Sequence, residues 1–137
     1  MMPLLNVSIS GQGNLDLSTA IASQLTQITA THLGKEHQVT AVAINYVDAS
    51  DWFIDAQPVS TRKLRTFSLD IKVTAGTNTK SEIAAYQSLV FKEMTELLGA
   101  IADESYIVVD EVPAPNWGFG GQTQECRSVA KTLGRSA

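Results

Sequence analysis

Apolar and polar positions alternate at the start of the chain. Leu5, Val7 and Ile9 are apolar, and the residues between them are polar. This period of two predicts a strand with one buried face. Pro3 stands where the strand begins, a position that tolerates proline because its missing N–H is not needed for pairing.

A helical period follows the loop "SGQGN". Four apolar residues recur on one stripe and predict an amphipathic helix over residues 18–33, which Gly34 ends because glycine readily adopts the left-handed conformation after a helix. The stripe consists of Leu17, Ile21, Leu25 and Ile28. The next segment, "VTAVAINYV", is almost continuously apolar, which is typical of a strand covered along most of its length.

The second half of the chain shows the same order of elements. A strand precedes Gly76, and Thr79 with Glu82 forms the capping-box pattern that starts a helix. Gly99 ends this helix, and "YIVVDEV" predicts the last long strand. The apolar stripe of the second helix consists of Ile83, Tyr86, Val90, Met94 and Leu97.

The likeness of the two halves indicates an internal duplication. At a shift of 65 positions, identical residues coincide at the helix ends and at both tryptophans of the chain. The coincidences include Gly11 with Gly76, Leu33 with Leu98, Gly34 with Gly99 and Trp52 with Trp117. The strands that precede the glycines align better at a shift of 64, which sets Pro3 opposite Phe67.

Two tandem βαβ units predict an α+β fold, a four-stranded sheet with two helices on one face. We expect a single domain over 1–137, with repeats at 3–54 and 66–121 and a tail at 122–137, either a short helix over a neighbouring subunit or a mobile end. Segment 55–66 joins the repeats and predicts a short edge strand or hairpin. The uncovered face of the sheet needs a partner, which oligomerisation supplies.

The composition is that of an ordinary globular domain. Apolar residues make up 44% of the 137 positions and charged residues 18%, and the net charge of −4 gives no reason to expect nucleic acid or an anionic membrane as partner. With Cys126 alone no internal disulfide is possible, and no signal peptide or membrane span is visible. We expect a soluble, cytoplasmic protein. His32 and His37 are five positions apart without matching carboxylates, so we expect no metal site.

Two passages resemble the tautomerase superfamily. "LTQITATHLGKEHQVTAVAI" is similar to the helix-to-strand passage of macrophage migration inhibitory factor, and "VVDEVPAPNWGFGGQ" is similar to the strand and glycine-rich turn of 4-oxalocrotonate tautomerase. The resemblance covers roughly residues 3–121 and includes the early proline before a strand. It implies a homotrimer with an active site at each subunit boundary, acting on small-molecule substrates without a cofactor.

The resemblance also implies a set of site residues. Pro3 matches the proline whose free amine acts as general base in keto–enol exchange, Lys35 matches a lysine that faces the substrate carboxylate, and Tyr106 matches a tyrosine contributed across the subunit boundary. Trp117 matches an aromatic wall of the pocket, and Phe119 lies beside it. Proton transfer of this kind suits an amine whose pKa burial lowers toward neutrality.

Each of these residues also has a plainer interpretation. Lys35 at a helix end complements the helix dipole, and the sequence alone favours that interpretation. Tyr106 fits equally well as a strand aromatic, and Trp117 and Phe119 fit a subunit interface as well as a pocket. His32 is another candidate pocket residue, although a solvated histidine on the last helical turn explains it better.

Two departures from the family pattern bear on the chemistry. The carboxylate-binding arginines of 4-oxalocrotonate tautomerase are replaced by Gly13 or Asn14 and by Tyr106, and Thr77 stands where another would lie. Diacid substrates and hydrolytic dehalogenation are therefore disfavoured, because bidentate grips on carboxylates are made by arginine. In addition, Met2 precedes the proline and is too large for initiator removal, so the proline nitrogen is an amide unless translation begins at Met2.

These observations predict a keto–enol tautomerase, or isomerase, of small 2-oxo acids or arylpyruvates, with Pro3 as general base. The alternative is a catalytically inactive trimer that binds a small molecule or another protein, which follows if Pro3 is not N-terminal. A third possibility is a dimeric α+β barrel that encloses a ligand.

Overall fold

The computed structural model of the protein describes residues 3–134. The elements along the chain are β1 (Leu4–Ser10), α1 (Leu15–Leu33), β2 (Ala41–Val47), β3 (Phe53–Ile54), β4 (Gln57–Pro58), β5 (Phe67–Thr74), α2 (Lys80–Leu98), β6 (Tyr106–Val112), β7 (Gly118–Phe119), β8 (Gln122–Thr123) and α3 (Gln124–Thr132).

Four of the strands form one mixed sheet in the order β2-β1-β5-β6. β1 pairs with β2 and β5 pairs with β6 in parallel, each pair flanking a long helix in the chain. The two βαβ units meet where β1 runs antiparallel to β5, with Val7 opposite Leu69. The predicted α+β class and four-stranded sheet are confirmed.

Both long helices pack on one face of the sheet and enclose the core. The inward residues of β1 and β5 interlock with the buried stripes of α1 and α2. Across the helix pair the hydroxyls of Thr29 and Tyr86 form a buried hydrogen bond of 2.8 Å. Burial raises the pKa of Tyr86 to about 12.

The helix ends follow from local capping. The Asn14 side chain accepts a hydrogen bond from the Leu17 amide, so α1 begins at Leu15 rather than at position 18 as the apolar stripe predicted. Gly34 ends α1 with a φ of 67°. The predicted capping box of Thr79 and Glu82 is present at α2.

The other face of the sheet is uncovered in the part of the chain that the structure describes. Its residues include apolar side chains such as Leu4 and Val108, which are exposed. Lys72 and Asp110 form an ion pair of 3.5 Å on the same face. A sheet with one packed and one open face is expected to bury the open one against other chains.

Two small hairpins complete the fold. β3 and β4 form the first, of which β4 lies in the predicted joining segment and β3 directly precedes it, so the hairpin begins two residues earlier than expected. β7 and β8 form the second, and α3 follows it directly. α3 packs on this hairpin and places the Arg127 guanidinium 3.7 Å from the centre of the Phe119 ring. Lys131 joins α3 to Glu36 through a 3.0 Å ion pair.

Candidate functional site

One end of the sheet carries two of the candidate residues. Pro3 is buried immediately before β1, and its carbonyl accepts a 3.4 Å hydrogen bond from the Ala41 amide at the start of β2. β5 ends at this same end, because it runs antiparallel to β1. The Lys35 side chain reaches Thr77 in the loop that leaves β5. Pro3 and Lys35 therefore lie at one end of the sheet.

Lys35 is buried, with 6% of its surface exposed. Its Nζ donates a hydrogen bond of 2.9 Å to Thr77 Oγ1. The Thr77 hydroxyl donates its own proton to the Thr74 carbonyl at 2.6 Å, which leaves its oxygen free to accept from the lysine. The side chain is therefore bonded to the second half of the chain, a contact that the plainer interpretation of Lys35 does not require.

The electrostatic surroundings of Lys35 are unusual for a lysine. Burial lowers its pKa, and the carboxylates of Glu82 and Glu111 partly oppose this effect. Both carboxylates have other partners, since Glu82 accepts from the Thr79 amide at 2.7 Å and Glu111 accepts from the Gly76 amide at 3.4 Å. Within residues 3–134, no carboxylate forms an ion pair with Lys35.

Two residues that hold the lysine segment come from the second half of the chain. Thr77 accepts from Lys35, and Asn78 Nδ2 donates a 2.9 Å hydrogen bond to the Leu33 carbonyl at the end of α1. Sequence reasoning considered Thr77 only as a position that lacks an arginine, and it missed Asn78. The polar run "TNT" before a helix is the only sequence signal for this role, and it also fits simple helix capping.

Tyr106 lies at the opposite end of the sheet from Pro3. It begins β6 beside Ser68, which in turn pairs with Ser8 near the end of β1. Its side chain is 64% exposed on the uncovered face. One chain therefore does not bring Tyr106 together with Pro3. His32 is also exposed, on the last turn of α1.

Trp117 and Phe119 belong to the second hairpin and the turn before it. Trp117 lines a cavity of about 290 Å³ together with residues 115–116, 118 and 121–123. Its indole Nε1 is buried and has no hydrogen-bond partner among the residues that the structure describes. The Arg127 guanidinium lies over the Phe119 ring. Arg127 Nε also donates a 3.2 Å hydrogen bond to the Phe119 carbonyl.

The burial of Lys35 is expected to lower the stability of the fold. Replacing it by methionine is expected to raise the free energy of unfolding at pH 7, because the variant no longer buries an ammonium group. The folded-state pKa lies below the unfolded value, so this penalty is complete below the folded pKa and disappears as pH rises to the unfolded pKa. Urea unfolding from pH 7 to 10.5 measures the difference. Lys92→Met at an exposed position is the control, and a difference that does not shrink with pH would contradict the prediction.

Residues 3–134 contain neither a metal-binding cluster nor a membrane-spanning helix. Histidine, cysteine and carboxylate side chains within residues 3–134 do not gather in groups of three or more that could hold a metal ion. None of the helices in the same range has both the length and the apolar character needed to cross a bilayer.

Comparison with protein-family models and with curated protein sequences finds no match. Comparison with solved structures does. Fused 4-OT, a symmetric trimer, is 18% identical, with a TM-score of 0.78 over 89% of this chain and 96% of its own. A macrophage migration inhibitory factor homologue from Prochlorococcus marinus is 23% identical, with a TM-score of 0.73 over 88% and 97%.

A third similar structure is Pt0534 inactivated by 2-oxo-3-pentynoate. It is 13% identical, with a TM-score of 0.78 over 90% of this chain and 97% of its own. The matches cover 88–90% of this chain and 96–97% of the similar structures. The chain has the tautomerase-like fold of fused 4-OT and of macrophage migration inhibitory factor homologues, with two βαβ units in one sheet.

Proposed function

We propose that the protein is a keto–enol tautomerase of small 2-oxo acids or arylpyruvates. The observation that supports this most directly is the buried Lys35, held at the Pro3 end of the sheet by a neutral hydroxyl. A cation without an ion-pair partner in the described chain can bind a carboxylate or stabilise an enolate oxygen.

The reaction needs one base and one oxyanion partner. With its nitrogen as a free amine, Pro3 removes the proton from the carbon beside the carbonyl and returns it to the other position of the enol. Burial of the proline lowers the pKa of such an amine toward the working pH, where a general base is most efficient. Lys35 holds the carboxylate or the developing oxyanion. No cofactor takes part in this scheme.

The complete site would require a homotrimer. Exposed Tyr106 would then enter the site of a neighbouring chain as a hydrogen-bond donor, and Trp117 would form an apolar wall. The open face of the sheet supports this assembly, as do the fused 4-OT structures, which are trimers. We expect the enzyme to be cytoplasmic. We also expect its substrates to carry a single carboxylate, because the arginines that bind diacids are replaced in this sequence.

The alternative is a trimer that binds a small molecule or another protein without catalysis. The sequence feature that favours it is Met2, because a proline nitrogen in a peptide bond has no basicity. Met1 and Met2 lie outside the described residues, so the expectation about the start of the chain is decided by experiment.

Two forms of the chain test the function. One begins at Met1, and the other begins at Met2, so that removal of the initiator methionine exposes Pro3. Intact mass identifies each terminus, and enol–keto conversion of phenylpyruvate is followed by absorbance. Activity in the second form alone is expected. Inactivity of both forms, with trimers present by light scattering, would overturn the proposal and leave the binding protein.

A further inference from the structure

The Lys35 amine has bonding capacity that the described contacts do not use. An ammonium group carries three N–H donors, and within residues 3–134 a single acceptor, Thr77 Oγ1, is bonded to it. That acceptor is neutral, and its own proton is directed at the Thr74 carbonyl. The hydrogen bond therefore positions the nitrogen without demanding that it be charged.

We propose that Lys35 Nζ is a nucleophile that forms a covalent imine with the carbonyl carbon of a small 2-oxo acid. The proposal goes beyond the proposed function, in which Lys35 acts only through its charge. It requires no free amine at Pro3, so a chain that begins at Met1 could also form the imine. Lysines whose amines are desolvated by burial are the ones that form imines, and Lys35 is buried.

The step balances without any further reactant. The neutral amine adds through its lone pair to the carbonyl carbon, and the proton that the nitrogen then loses passes to the carbonyl oxygen to give a neutral carbinolamine. A proton from solvent lets the hydroxyl leave as water, and the nitrogen lone pair forms a protonated C=N bond. Release of a proton from the adjacent carbon gives an enamine, and hydrolysis returns the 2-oxo acid and the free amine.

The charged groups around Lys35 determine when the amine is neutral. Burial lowers its pKa, and Glu82 on α2 and Glu111 on β6 oppose that effect without forming ion pairs to it. The titratable neighbours along its own segment are His32, Glu36 and His37. Imine formation is accordingly expected to increase with pH through the neutral range, since only the uncharged amine adds to a carbonyl.

Reductive trapping tests the proposal. The full chain is incubated with pyruvate and sodium cyanoborohydride, which reduces an imine to a stable secondary amine. We expect a mass increase of one pyruvate less one oxygen atom. The chain contains no lysine or arginine before Lys35, and the next cleavage site is Arg62. Trypsin does not cut after an alkylated lysine, so labelling at Lys35 produces a 1–62 peptide, whereas labelling of the terminal amine produces a modified 1–35 peptide.

Two variants sharpen the result. Lys35→Arg keeps the charge but cannot form an imine, and it is expected to lose the label. Lys92→Arg, at an exposed position, is expected to keep it. Circular dichroism verifies that both variants are folded. If one variant does not fold, the peptide map of the chain without substitutions still locates the label. Label spread evenly over the exposed lysines, or no label at all, would overturn the proposal.

This outcome is independent of the tautomerase assay. Labelling of Lys35 by pyruvate without interconversion of phenylpyruvate would support the imine proposal and contradict the proposed function. Activity that requires an exposed Pro3, with no label at Lys35, would support the proposed function and contradict the imine proposal.

Discussion

Replacement of Phe67 by alanine is expected to lower the free energy of unfolding by about 3–5 kcal/mol, the usual cost of removing a buried phenylalanine ring. Phe67 is 0% exposed and begins β5 opposite Ile9 of β1. Phe67 therefore lies where the two βαβ units join, and it belongs to the buried core cluster. Urea unfolding monitored by circular dichroism measures the loss.

Phe53→Ala is the matched control. Phe53 belongs to the β3–β4 hairpin and is 56% exposed, so the same truncation there is expected to change the stability by no more than about 0.5 kcal/mol. Equal losses for the two variants would contradict the placement of Phe67 in the core. If association of chains contributes to stability, measurement at two protein concentrations separates that contribution.

Phe67 also shows how the two halves differ in chemistry. The alignment of the halves sets it opposite Pro3, and it sets Ala100 opposite Lys35. The second half thus has a buried ring and a methyl group where the first half has a proline and an amine. The shared backbone pattern supports the fold in both halves, while one end of the sheet alone carries the proposed base and cation.

The fold could be predicted because its signals are local. Apolar periods of two and of 3.6 residues identify the strands and helices without reference to distant residues. The predicted start of α1 lies three residues too late, because Leu15, which is 80% exposed, and polar Asp16 do not extend the buried stripe, and Leu17 alone marks it in the first turn. The Asn14 cap was the signal that could have corrected it.

The environment of the candidate site could not be predicted in the same way. The burial of Lys35 depends on Thr77, which is 42 positions away in the chain, and no local pattern reports such a contact. A lysine after a helix-ending glycine looks the same in sequence whether it is solvated or buried. The roles of Tyr106 and Trp117 depend in addition on neighbouring chains, and they stay predictions.

Replacement of Gly118 by alanine is expected to open the β7–β8 hairpin. A Cβ at this position would clash with the Gln122 carbonyl oxygen and lie 2.7 Å from Thr123 Cα, and backbone atoms cannot move aside as a flexible side chain can. Overpacking of this kind costs about 1–3 kcal/mol. Opening would also break the hydrogen bond between the Gln124 amide and the Trp117 carbonyl, which ties α3 to the hairpin.

Limited trypsin cleavage at Arg127 measures this opening. Cleavage follows the population of the open form when reclosing is fast, and 1.4 kcal/mol corresponds to a factor of ten, so we expect a rate increase of roughly tenfold. Gly121→Asn in the same turn is the control. The space around Gly121 is empty and asparagine tolerates its φ of 78°, so its cleavage rate should stay near that of the unaltered chain. A similar rate for both variants would mean that turn flexibility, rather than the close approach of Gly118 to Gln122, holds α3 in place.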